Sequence, residues 1–214
     1  MKIFKVRLLL PTAILSIIFA SVGEAGSPKK AASGFGTVQA KAVYCKDCHG
    51  TSAQGYYGYL VIPRLAGQTP EYIENQLEAF AERTREKNLF INMARVHGLS
   101  AEMRTALADY FSELESRPAH DDEKKRGSDT GKSIYNDGVP EANVPACAAC
   151  HGPQAEGEGQ NPRLAGQLYA YLVKELANWD KERRSETAAI MSPVVRSLNQ
   201  SQIAAIAAYL SSLK

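Results

Sequence analysis

Apolar positions along the chain recur with helical spacing, and no stretch alternates convincingly with the period of two that a half-buried strand requires. Ile73, Leu77 and Phe80 fall at i, i+4, i+7 and share one helix face. Thr69-Pro70 just before them reads as an N-cap followed by proline at the first helical position. Ser100 opens a second helix, on which Met103, Leu107, Tyr110, Phe111 and Leu114 face the same way. Near the C-terminus, Asn199 and Gln202 have capping-box spacing, and Ile203, Ile206, Leu210 and Leu213 make a buried stripe. Short helices are also expected at Val38–Tyr44 and Gly131–Tyr135. The pattern predicts an all-α chain.

The second half repeats the first. Pro63-Arg64-Leu65-Ala66-Gly67-Gln68 returns as Pro162-Arg163-Leu164-Ala165-Gly166-Gln167, 99 residues later. Tyr72 and Tyr171, Phe80 and Trp179, and Tyr110 and Tyr209 keep that offset. Two copies are too few for a solenoid, so two related domains of three to five short helices each are expected. We place them at residues 34–116 and 128–214. The charged stretch 117–127, with Pro118 and Gly127 and no apolar periodicity, has the composition of a linker. Residues 1–25 read as a cleavable secretory signal peptide. Lys2, Lys5 and Arg7 precede an apolar run from Leu8 to Ala20, with small residues Gly23 and Ala25 before the cleavage point. That run falls short of the ~20 residues that cross a bilayer. Export would place the mature protein in a bacterial periplasm.

The formal charge is +2 over 214 residues; loss of Lys2, Lys5, Arg7 and Glu24 with the leader brings it to zero. No basic face stands out and aromatics do not alternate with basic residues, which argues against nucleic acid as a partner.

The chemistry is concentrated in Cys45-Lys46-Asp47-Cys48-His49-Gly50 and Cys147-Ala148-Ala149-Cys150-His151-Gly152. These hold all four cysteines and two of the four histidines. Cys-x-x-Cys-His attaches haem c: two thiols add to the porphyrin vinyl groups, and the adjacent imidazole binds iron. Zinc would need both cysteine pairs at one ion, and a redox dithiol leaves the repeated His-Gly unexplained. Two covalently bound haem c groups are therefore expected, through Cys45 and Cys48 and through Cys147 and Cys150. His49 and His151 are the first axial iron ligands. A haem in each core also answers an energetic need, because a domain of about 85 residues buries limited apolar surface unaided.

The second axial ligand separates an electron relay from an open, reactive iron that would support peroxidase or reductase chemistry. The methionines are Met1, Met93, Met103 and Met191. Met191 is alone in the second half and precedes the last helix; Met93 is its counterpart at an offset of 98. Met93 and Met191 are the expected axial methionines. Met103 is a rival, though it aligns with Gln202 on the last helix and has the spacing of a core residue. His97 is another rival, and His120 lies in the linker.

With these motifs in place, residues 34–214 resemble the cytochrome c4 family, diheme class I cytochromes c of the bacterial periplasm. The resemblance implies two tandem class I cytochrome c domains, and an electron carrier rather than an enzyme. It also implies that the carbonyls of Pro63 and Pro162 accept hydrogen bonds from His49 and His151, fixing each imidazole. Its implied partners are redox proteins: a terminal oxidase, a quinol-oxidising complex or a dehydrogenase, with loose membrane association open. An alternative is the diheme subunit of a dehydrogenase complex, of the flavocytochrome sulfide dehydrogenase or alcohol dehydrogenase type. Arg64 and Arg163 stand where the family commonly has asparagine, either against a haem propionate or exposed. The Tyr56-Tyr57-Gly58-Tyr59 segment is longer than its counterpart, and residues 84–92 differ strongly from 183–190.

Overall fold

The computed structural model describes residues 29–85, 98–117, 128–181 and 189–214. Among the described residues are eight α-helices: α1 Lys29–His49, α2 Pro70–Ala81, α3 Ala101–Ser112, α4 Ser128–Asp137, α5 Ala148–His151, α6 Tyr169–Asn178, α7 Met191–Arg196 and α8 Gln200–Ser212. Isolated bridges are the only β pairing among the described residues.

The caps explain several boundaries. Ser100 accepts a hydrogen bond from the Met103 N–H at 3.2 Å and starts α3. Asn199 and Gln202 form both bonds of the capping box at the head of α8, each at 2.9 Å. Thr69 does sit at the N-cap of α2 with Pro70 after it, but its side chain makes no capping bond. It donates instead to the Gly159 carbonyl at 2.8 Å, in the other half of the molecule.

The two helices before the Cys-x-x-Cys-His motifs run longer than 38–44 and 131–135. Nothing breaks α1 after Tyr44, so it continues through Cys45 and Cys48 to His49. In the second half Gly138, at φ +77°, and Pro140 stop α4. The short α5 then carries that motif separately.

Each half has its own core. In the first, Ala42, Ala53, Ala66, Ile73, Leu107, Ala108 and Phe111 are buried together. In the second, Ile134, Tyr135, Val139, Val144, Leu172, Ile206 and Leu210 form the equivalent cluster with three alanines. The last helix of each half supplies the largest share, as its apolar stripe requires. Gly131 lets α4 cross α8 at close range: a Cβ there would lie 2.0 Å from the Ala205 carbonyl oxygen.

Candidate haem sites and the interface between the halves

Both Cys-x-x-Cys-His motifs lie at helix ends. Cys45 to His49 form the last turn of α1, while Cys147 precedes α5 and its carbonyl accepts from the His151 N–H at 3.0 Å. Cys45 and Cys147 are half-buried; Cys48 and Cys150 are exposed. Burial is the foremost cause raising the pKa of the Cys45 and Cys147 thiols. The glycine after each histidine has a backbone reason. Gly50 sits at φ +84° and Gly152 at φ +81°, where an L side chain is strained. That turn lets Gly55 N–H donate to the His49 carbonyl at 2.8 Å and Gly157 N–H to the His151 carbonyl at 2.9 Å.

The loop then brings a proline carbonyl to each imidazole. His49 Nδ1 lies 2.8 Å from the Pro63 oxygen, and His151 Nδ1 lies 2.9 Å from the Pro162 oxygen. A carbonyl only accepts, so Nδ1 carries the proton and Nε2 bears the lone pair. Desolvation lowers both imidazole pKa values from 6.5, against the opposing effect of the proline bonds, and keeps the rings neutral. His49 Nε2 is buried with no hydrogen-bond partner among the described residues. Leaving such a nitrogen unsatisfied costs about 1–3 kcal/mol. A neutral, oriented imidazole with a buried orphan lone pair fits an iron ligand.

Zinc fares worse, because among the described residues no three His, Cys, Asp or Glu side chains converge on one point.

Arg64 is buried and Arg163 half-buried, so neither is an exposed surface arginine. Burial first, and the Arg163 charge second, pull the Arg64 pKa down to about 10. Burial also lowers that of Arg163, with Glu156 opposing. The Nε atoms of both arginines are buried without a partner among the described residues. Two cations crowded in this way suit anionic groups such as haem propionates.

The two arginine-bearing loops also hold the halves together. Gln167 accepts from the Arg64 N–H at 2.9 Å and donates to the Arg64 carbonyl at 3.1 Å. Gln68 accepts from the Arg163 N–H at 2.6 Å and donates to the Arg163 carbonyl at 2.9 Å. Nearby, Arg85 reaches across to Glu175 at 3.5 Å, both buried, and also bonds Gln76 and Tyr171. Desolvation would lower the Arg85 pKa, but Tyr171, Tyr72 and Glu175 outweigh it and hold the guanidinium charged. Sequence reasoning missed these interface roles. The repeated glutamine of Pro-Arg-Leu-Ala-Gly-Gln was the available signal.

Met191 is the first residue of α7 and half-buried. Met103 is half-buried on α3 and packs against the first core. Met93, His97, His120 and residues 1–25 lie outside the described residues. The Tyr-rich segment accounts for the change of offset from 102 residues at the Cys-x-x-Cys-His motifs to 99 at Pro-Arg-Leu-Ala-Gly-Gln. The Tyr56–Ile62 bridge closes a longer loop than the Glu158–Asn161 bridge does, and Tyr59 is fully exposed at its tip.

A family model described as cytochrome c matches residues 128–214. A cytochrome c-552 of Acidithiobacillus ferridurans is 37% identical over 191 residues, spanning 86% of this chain and 82% of that protein. The solved cytochrome c4 of Acidithiobacillus ferrooxidans is 38% identical with a TM-score of 0.69, covering 79% of this chain and 98% of that one. The chain belongs to the cytochrome c4 family. A further relative, named thiosulfate dehydrogenase electron acceptor, from Thiomonas intermedia, is 34% identical over 95% of this chain and 90% of its own length. As a cytochrome c4 relative the chain is a diheme electron carrier, all-helical, with one haem c for each Cys-x-x-Cys-His motif. The loops after His49 and His151 superimpose the same bonds on both halves of this cytochrome c4 fold, from the Ala53 and Ala155 turns to the proline carbonyls.

Proposed function

We propose that this protein is a periplasmic carrier that moves single electrons between redox proteins, on towards a terminal oxidase. Cys45 and Cys48 hold one haem c by thioether bonds, and Cys147 and Cys150 the other. His49 with Met93, and His151 with Met191, complete the two irons. Residues 34–116 and 128–214 are the two haem domains, joined by 117–127 after removal of 1–25.

When bound, haem iron supplies a one-electron couple, and a saturated histidine–methionine site favours relay over reactions with small molecules. The chain's own residues set how that couple behaves. Pro63 and Pro162 hold the imidazoles in one tautomer, so the ligands need no reorientation when the charge changes. The buried Arg64 and half-buried Arg163 place positive charge between the halves, where it offsets anionic propionates. The observation that carries this reading is the buried His49 Nε2, without a hydrogen-bond partner among the described residues, on a ring whose other nitrogen is already committed.

The donor is a dehydrogenase of the kind its Thiomonas relative is named for, a thiosulfate dehydrogenase. The exposed Tyr56, Tyr57, Tyr59 and Leu60 beside the first motif are the face we assign to docking. Separate Met93→Ala and Met191→Ala variants test the ligand set by potentiometry and near-infrared absorption. Each should remove one of two methionine–iron bands. Loss of a band in Met103→Ala instead would overturn the assignment in the first half.

A further inference from the structure

The peptide group joining Pro63 to Arg64 is engaged at both ends. Its carbonyl accepts from His49 Nδ1 at 2.8 Å, and its N–H donates to Gln167 Oε1 at 2.9 Å. The Pro162–Arg163 peptide repeats this arrangement, accepting from His151 Nδ1 at 2.9 Å and donating to Gln68 Oε1 at 2.6 Å. Each histidine of one half is therefore linked, through a single peptide unit, to a glutamine of the other half. Gln68 and Gln167 are equivalent positions of the repeat, so the links cross.

Hydrogen bonds in such a chain polarise one another, by about 10–30% per bond. An acceptor on the Arg64 N–H draws electron density onto the Pro63 oxygen. That oxygen then binds the His49 Nδ1 proton more strongly, and the imidazole becomes a better electron donor through Nε2. A more basic imidazole favours the oxidised, more positive iron. We propose that Gln167 tunes the haem of the first half and Gln68 the haem of the second, each lowering the potential of the site across the interface. The inference rests on the proposed ligation by His49 and His151.

A purely structural role is the alternative, since each glutamine also accepts from its own helix start. Gln68 Oε1 takes the Thr69 N–H at 2.9 Å and Gln167 Oε1 the Leu168 N–H at 3.0 Å. Thr69, which bonds Gly159 across the same interface without touching a proline–arginine peptide, separates the two roles.

The test uses the holoprotein and the variants Gln167→Met, Gln68→Met and Thr69→Val. Haem potentials are followed individually by NMR of the haem methyl groups, assigned to each haem through contacts with its own half. Exchange of the histidine Nδ1 protons with solvent is the second readout. Gln167→Met should raise the first haem's potential, with about a two-fold fall in its ferric-to-ferrous ratio at fixed applied potential, or about 18 mV. It should also speed exchange at His49 Nδ1 and leave the second haem unmoved. Gln68→Met should do the converse, and Thr69→Val neither. Equal shifts of both haems, a shift in the variant's own half, or a matching shift in Thr69→Val would overturn the proposal. So would unchanged potentials in both methionine variants. A wild-type spectrum lacking paramagnetically shifted resonances of His49 and His151 would instead remove the ligation reading beneath it.

Discussion

Replacing Gly131 by alanine sets two effects of opposite sign against each other. Within a helix alanine is favoured over glycine by about 1 kcal/mol, so propensity alone predicts a more stable protein. The crossing of α4 over α8 predicts the reverse. The new methyl carbon would lie 2.0 Å from the Ala205 carbonyl oxygen and 2.8 Å from the Tyr209 Cβ. Contacts under 3.0 Å are essentially never made by real Cβ atoms, and the obstruction is backbone rather than the end of a flexible side chain. Relief requires the helices to separate by about 1 Å, which loosens Ile134 and Tyr135 against Ile206 and Leu210. Overpacking costs about 1–3 kcal/mol, and a rigid backbone obstacle belongs at the upper end. The net expectation is destabilisation by about 2 kcal/mol after the propensity gain. Thermal unfolding of the holoprotein, followed by far-ultraviolet ellipticity, should show a midpoint lowered by about 4–8 °C if the halves unfold together. If the second half unfolds alone, the drop should be about 8–16 °C. A midpoint equal to or above that of the native protein would refute the close-packing argument.

Two other outcomes follow from buried charge and buried imidazole. Glu175→Ala strands the Arg85 guanidinium in the interface and should cost about 3–5 kcal/mol in urea unfolding. The double variant Arg85→Met, Glu175→Leu should recover most of that loss; a double variant as unstable as the single one contradicts the reasoning. The depressed imidazole pKa values of His49 and His151 make stability fall in acid. The unfolded chain binds protons near pH 6.5 while the folded imidazoles do not, so stability present above 6.5 is lost progressively below it. Urea midpoints measured between pH 7.5 and 5 should decline as the pH falls, whereas a flat or rising profile would sink this account.

The helical faces, the repeat and the two haem motifs were legible because each is a local pattern. Ile203, Ile206 and Leu210 announce their burial by spacing, and Asn199 with Gln202 announces a cap. The length of α1 was not legible, because helix ends depend on where a stop residue falls, and none comes before Gly50. Thr69 shows how a correct boundary hides a different use of the side chain. Its hydroxyl left the helix for Gly159, a choice made by the docking of the halves. The Arg85–Glu175 pair and the crossed glutamines were equally hidden, since they join residues 90 to 103 positions apart. Only their recurrence in the repeat marked Gln68 and Gln167 as more than solvated polar residues.

The mass of the intact exported protein tests the whole account most directly. Two covalently added haem groups should appear on a chain that begins after residue 25. Changing Cys147 and Cys150 to alanine should leave one haem in place, held by Cys45 and Cys48. A native protein carrying no haem, or a single one, would contradict it.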